Sequence, residues 1–195
     1  MVVNQVVPET FFVPPTAHSP NSHVPVIVYR NALVDRTPEG AMDAMETNEW
    51  TKGGHWKIAK ETLAATPHFH AVTHECYTVL KGSGTYLLGK SPLDPAVDQG
   101  GNPVGVTFTA QAGDVFAFPA GVTHYVTDTE GNYEIIGFYS LTEHNSREEP
   151  FDMNLALGTE EETNEIRERI KQIATPVHDP IYGKEGPMPR IWSKV

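Results

Sequence analysis

His68-Phe69-His70, four further residues, Glu75, six more and Gly82 form one decisive stretch. Gly113-Asp-Val-Phe-Ala-Phe-Pro119-Ala-Gly121-Val-Thr-His124 forms the other. Side chains alternate along a strand, so His68 and His70 share a face with Phe69 opposite. Glu75 lies an odd number of positions beyond His70, so the intervening residues must bend to return its carboxylate to that face. In the second stretch an apolar strand, 115–118, runs into a tight turn. Pro119 fixes φ there and Gly121 accepts the positive φ that other residues resist. The chain then reverses and His124 enters the next strand, a fourth ligand delivered from a separate hairpin. Three imidazoles and one carboxylate suit one divalent transition metal: Fe, Mn, Ni, Cu or Zn, with Fe or Mn favoured. An octahedral ion held this way keeps two positions open.

Outward from these stretches, residues 55–141 read as short strands at 55–60, 67–70, 75–81, 84–88, 104–109, 115–118, 124–127 and 133–139. Turn residues recur every eight to twelve positions, the pattern of a sandwich or barrel. Residues 91–102 form a polar loop longer than a hairpin needs, a length associated with function or mobility. Residues 1–54 form an arm and edge strand. Pro8, Pro14, Pro15, Pro20 and Pro25 punctuate the arm, Phe11-Phe12-Val13 needs covering, and 26–29 is a buried strand. Residues 36–53 are compatible with a short helix or a loop. In the tail, 142–195, Thr159-Glu-Glu-Glu162 is a capping box, and Ile166, Ile170 and Ile173 recur at helical spacing. That predicts a helix over about 160–174, followed by a proline-rich strap with little regular structure. The whole is one domain.

The chain's 195 residues are enough for one well-buried core. Hydrophobic residues at 39% with 16 Gly and 16 Pro describe a turn-rich folded protein, too apolar to be disordered. Fourteen basic against twenty-five acidic residues give a net charge of −11, which disfavours nucleic acid and anionic membrane surfaces as partners. No apolar run approaches the roughly 18 residues of a spanning helix, and the first residues lack the pattern of a secretory signal. Cys76 is the only cysteine, so no intrachain disulfide is available and a cytoplasmic location is expected.

The two stretches resemble the paired motifs of the cupin superfamily, Gly-x5-His-x-His-x3or4-Glu-x6-Gly and Gly-x5-Pro-x-Gly-x2-His-x3-Asn. His68, His70, Glu75, Gly82, Gly113, Pro119, Gly121 and His124 match at the required spacing, whereas Thr62 and Asp128 replace the first Gly and the last Asn. The resemblance implies an all-β fold: a cupin-type jelly-roll β-barrel carrying the proline-rich N-terminal arm and the short C-terminal helix. Its metal ligands would be His68, His70, Glu75 and His124, facing inward, and a homodimer is common. More narrowly, Phe11-Phe12-Val13-Pro14-Pro15, Pro25-Val-Ile-Val-Tyr-Arg30 and Asp179-Pro-x-Tyr-Gly-x-x-Gly-Pro187 are similar to small single-cupin microbial proteins of unassigned activity.

The function this implies is a metal-dependent enzyme acting on a small organic molecule, first an oxidoreductase of dioxygenase type. The same ligands serve a redox-neutral isomerase, decarboxylase or cyclase, and a non-catalytic binding barrel is the third possibility. Two residues are candidates for acting on substrate. Tyr77 shares the face of Glu75. His74 adjoins Glu75 but has opposite parity and is expected to face solvent. Cys76 should point away from the metal as a small buried hydrophobe. Phe116 and Phe118 read as core, and His55-Trp56 as possible contacts at a cavity mouth. Substrate selection is expected from the 91–102 loop, the arm and the strap.

Overall fold

The computed structural model describes residues 3–64 and 66–194. In chain order it places β1 (Glu9–Phe11), β2 (Val26–Tyr29), α1 (Pro38–Glu46), β3 (Trp50–Ile58), a 3-10 turn (Lys60–Thr62), β4 (His68–Phe69), β5 (Glu75–Leu88) and β6 (Val106–Gln111). These are followed by β7 (Val115–Phe118), β8 (His124–Ser140), β9 (Asn154–Leu155), α2 (Glu160–Ile170) and α3 (Pro187–Trp192). Among the described residues the nine strands form one antiparallel sheet. It is curled as the all-β jelly-roll reading expects.

Two long strands make the curl. β5 and β8 pair along their length, from Glu75↔Tyr139 to Leu88↔His124. The first half of β5 also pairs with β7 and the second with β6, so both strands pass through both walls of the barrel. The sequence suggested breaks near 82–83 and 128–132; the chain instead bends without leaving the sheet. Gly82, Gly131 and Asn132 all take positive φ there, and the register shifts between Val79, Lys81 and Ser83. A Cβ on Gly82 would overlap the Glu130 carbonyl oxygen, so glycine is required for close approach as well as for backbone sign.

Opposite faces of the first wall serve different cores. Tyr77, Val79, Phe116, Phe118, Tyr133 and Ile135 point inward with Tyr86 and Phe108 of the other wall. Cys76, Ala117, Ile136 and Phe138 point outward, beneath Ala41, Ala44 and Met45 of α1 and Met188 and Trp192 of α3. Strands buried on both faces lose alternation and read as continuous apolar runs, as β2 and β7 do. Cys76 is thus a buried hydrophobe outside the barrel, as expected.

The open segment 36–53 resolves into a helix and a strand. Thr37 accepts from the Gly40 amide, Pro38 occupies the first helical turn, and the apolar residues of α1 close over the sheet. β3 then begins at Trp50, paired with Ser140, five residues before the expected start. The capping box of α2 forms as predicted, but the helix ends at Ile170, not 174. Ile170 presses on the Pro119–Gly121 turn, where a Cβ on Gly121 would overlap it, and the chain must then descend so that the Ala174 carbonyl meets His74. The strap is also more regular than expected. Asp179, fully buried, accepts from Tyr29 Oη and from the amides of Ile181, Tyr182 and Met188. That fixes the start of α3, and Trp192 Nε1 donates to the Pro25 carbonyl at 2.9 Å. No helix among the described residues is long and apolar enough to cross a membrane.

Candidate metal centre

β4 and β8 pair at His68↔His124, which places one imidazole from each motif side by side with ring centroids 4.4 Å apart. His70 follows immediately after β4, residues 71–73 form the required bend, and Glu75 opens β5. The ring nitrogens of His68, His70 and His124 lie within 4.8 Å of one another. Glu75 Oε2 is 3.1 Å from His70 Nε2 and 3.0 Å from His124 Nε2. The three imidazoles therefore converge in the barrel interior, and the Glu75 carboxylate adjoins two of them, His70 and His124.

The hydrogen bonds fix which nitrogens face that point. His68 Nδ1 bonds the Thr66 carbonyl at 2.8 Å, His124 Nδ1 bonds the Val122 carbonyl at 2.9 Å, and His70 Nδ1 bonds the Asp152 carbonyl. A carbonyl only accepts, so each Nδ1 carries a proton, and each ring in its neutral form offers an Nε2 lone pair inward. His124 Nε2 is buried without a hydrogen-bond donor among the described residues, and the nearest group is an acid oxygen. Three lone pairs and a carboxylate facing one another repel unless a cation lies between them, so this donor set fits a divalent transition metal.

The carboxylate and the imidazoles are also coupled electrostatically, and a proton shared between His70 and Glu75 would relieve the same repulsion that a metal ion would. Burial opposes ionisation of Glu75, but the adjoining His70 and His124 hold its carboxyl well below the usual range. Burial lowers His70 too, and the Glu75 carboxylate outweighs it and raises the ring. His68 is pushed down to about 4 by burial and by His124.

Two supports escaped the sequence reading. Tyr139 Oη donates to Glu75 Oε1 at 2.6 Å, leaving Oε2 to the imidazoles. Strand parity with the inward residues Tyr133 and Ile135 could have revealed it. Asp152, from the loop before β9, orients His70 through its carbonyl and caps the Ala71 and Val72 amides with its carboxylate. No local sequence signal announces that long-range contact. Tyr139→Phe should weaken metal binding about tenfold, the lower end for outer-shell partners of metal ligands, with the fold retained. Competition with a chelating dye would measure it.

The other candidates separate. Tyr77 lines the cavity beside the centre, edge-on to His124 with ring centroids 6.2 Å apart. Burial keeps its phenol protonated. His74 corrects the expectation of a solvent-facing side chain. It is buried, accepts from the Ala120 amide through Nδ1 at 3.0 Å, bonds the Ala174 carbonyl through Nε2 at 3.2 Å and packs on Trp192. It ties the turn to the strap and does not line the cavity. Burial lowers its pKa from 6.5 to about 4. Between those values the unfolded chain binds the extra proton, so the stability from His74 is complete above pH 6.5 and is lost as pH falls toward 4. His74→Gln, which retains an acceptor and a donor, should flatten that part of the stability–pH curve, measured by denaturant titration.

The cavity is about 500 Å³, within the range of small-molecule sites. Its walls come from β3, from Thr62, Leu63, Ala64 and Thr66, from β5 and β8, and from Phe151 and Met153. The 91–102 loop, the arm and the strap supply none of them, contrary to expectation. In that loop Asp94 instead holds the arm, accepting from Thr16 Oγ1 at 2.6 Å. Trp56 does stand at the mouth, while His55 points out to Glu134 at 2.8 Å. Phe116 and Phe118 are core, as read. Phe11 packs on Phe108 while Phe12 stays exposed.

Residues 54–135 match the family model described as a cupin domain. Together with the curled sheet and the converging imidazoles, this makes the barrel segment a cupin domain. Over nearly its whole length the chain is similar to the uncharacterized protein YjlB of Bacillus subtilis (strain 168), 29% identical over 188 residues, covering 95% of this chain and 97% of that one. Weaker similarity reaches procruciferin, an 11S globulin from Brassica napus, at 15% identity and TM-score 0.33, covering 55% of this chain and 26% of that one. It also reaches vicilin from Corylus avellana, at 14% identity and TM-score 0.31, covering 62% and 29%. The match thus spans less than a third of either of these two chains.

Proposed function

We propose that this protein is a metal-dependent enzyme of dioxygenase type acting on a small organic molecule. In this reading His68, His70 and His124, through Nε2, and Glu75, through Oε2, hold one divalent ion, with Fe or Mn preferred. The observation that carries it is the tautomer pattern: three backbone carbonyls take the Nδ1 protons of three converging imidazoles, whose Nε2 atoms are left for an ion, with a buried carboxylate beside two of them. When bound, such an ion supplies Lewis acidity and, for Fe or Mn, one-electron chemistry. The chain's own contributions are positional. Tyr139 holds the carboxylate so that one oxygen faces the imidazoles. Asp152 sets the His70 ring plane. Tyr77 presents a protonated phenol toward the same space, and the aromatic walls exclude water from a substrate seated there.

The test is elemental analysis of the purified protein, followed by Fe(II) loading and oxygen-electrode measurements against a panel of enols, thiols and catechols. Metal near one equivalent with substrate-dependent oxygen uptake supports the proposal. Turnover that proceeds equally without oxygen overturns the oxygenase part in favour of redox-neutral catalysis.

A further inference from the structure

The cavity's walls specify more than its size. The rings of Tyr77, Tyr86 and Tyr139 and the side chains of Ile135 and Val126 line it, and two of these three phenols are committed elsewhere. Tyr139 Oη is held by Glu75, and Tyr86 Oη by Tyr133 at 2.8 Å. Lys57 contributes to the rim, but its ammonium lies 3.8 Å from Glu134, beside His55 on the outward side of β3. Away from the imidazole centre and the Tyr77 hydroxyl, a polyol or phosphate would bury more hydroxyls or charge than these walls can partner.

The mouth carries the opposite signal. Trp56, Phe151 and Met153 are 36%, 36% and 56% exposed, large apolar groups gathered at one opening. Trp56 is seated with care. Its indole lies over two glycines, since a Cβ on Gly54 would overlap Cζ2 and one on Gly137 would stand 2.7 Å from Cζ3. Tyr77 meets it edge-on at 6.2 Å. A ring held from beneath and bare above is a stacking platform already in its binding position, with little ordering cost left for the ligand to offset.

We propose that the cavity takes an aromatic molecule bearing a single oxygen-donor head, its head at the imidazole centre and its ring against Trp56. The proposal rests on the metal reading above, because the head needs the ion as its partner. It excludes sugars, sugar acids and phosphate esters as preferred ligands.

Three α-hydroxy acids share one head and differ in the body: mandelate (phenyl), lactate (methyl) and gluconate (polyol). The full-length protein is loaded with Zn(II), its zinc content is measured, and each acid is titrated by calorimetry. Mandelate should bind at least about tenfold tighter than lactate, the effect of burying a ring on an aromatic wall, with gluconate no tighter than lactate. Trp56→Ala should bring the mandelate-to-lactate ratio to within about twofold while zinc content and lactate affinity stay unchanged. Trp50 and Trp192 are buried, so mandelate should also perturb wild-type tryptophan fluorescence through Trp56, a readout that survives if the variant fails to fold. A ratio near one, gluconate binding tightest, or a ratio untouched by Trp56→Ala in zinc-replete protein overturns the ligand class and leaves the metal reading standing. Failure to load zinc overturns both.

Discussion

Glu75→Gln lowers divalent-metal affinity by more than about 100-fold, beyond the range produced by changes to groups that only orient ligands. Gln keeps the volume and removes the charge that balances the ion. Its amide oxygen can still accept from the Tyr139 hydroxyl, while its NH2 donates to an Nε2 lone pair and so occupies the place of the metal. The substituted protein therefore folds, with the buried lone pairs near His70 and His124 newly satisfied. Metal content by elemental analysis after dialysis, beside a thermal melt without metal, separates lost binding from lost folding. Retention of one equivalent by Glu75→Gln would contradict the carboxylate's assigned role.

Asp179→Ala costs about 3–5 kcal/mol of stability and lowers the melting temperature by about 10 °C for a chain of this size. One carboxylate accepts from four donors: Tyr29 Oη and the amides of Ile181, Tyr182 and Met188. Alanine leaves all four buried without a partner, and each such group costs about 1–3 kcal/mol less whatever water enters the gap. The loss is felt far from the strap's own sequence, because α3 and Ile181 cover the outer face of the wall that carries Glu75. Denaturant unfolding measures the energy. The expected pattern is a large fall in midpoint with metal stoichiometry of the folded fraction unchanged. A shift below 1 kcal/mol would show that the strap is dispensable to the barrel.

The candidate ligand residues were legible in the sequence because barrel geometry demands a rigid local grammar. The alternation at His68 and His70, the bend before Glu75 and the Pro119–Gly121 reversal before His124 each have a backbone reason, and the structure gathers the three imidazoles with Glu75 beside His70 and His124. Strand interruptions misled at Gly82 and Gly131, because the residues that permit a turn also permit a bend within a continuing strand. Parity failed for His74 because residues 71–74 are not extended, so alternation counted from the strands does not carry through them. Asp152, Phe151 and the Tyr139–Glu75 bond join residues more than sixty positions apart, and only the folded sheet sets such pairings. The long 91–102 loop drew attention by its length, yet it secures the arm and the cavity is built elsewhere.

Anomalous diffraction from crystals soaked in Mn(II) or Zn(II) reaches the central claim without any substrate. The account predicts one strong peak at bonding distance from Nε2 of His68, His70 and His124 and from Oε2 of Glu75, with every Nδ1 still on its backbone carbonyl. No peak among these groups, or an ion bound through Nδ1 with the rings turned over, would contradict it.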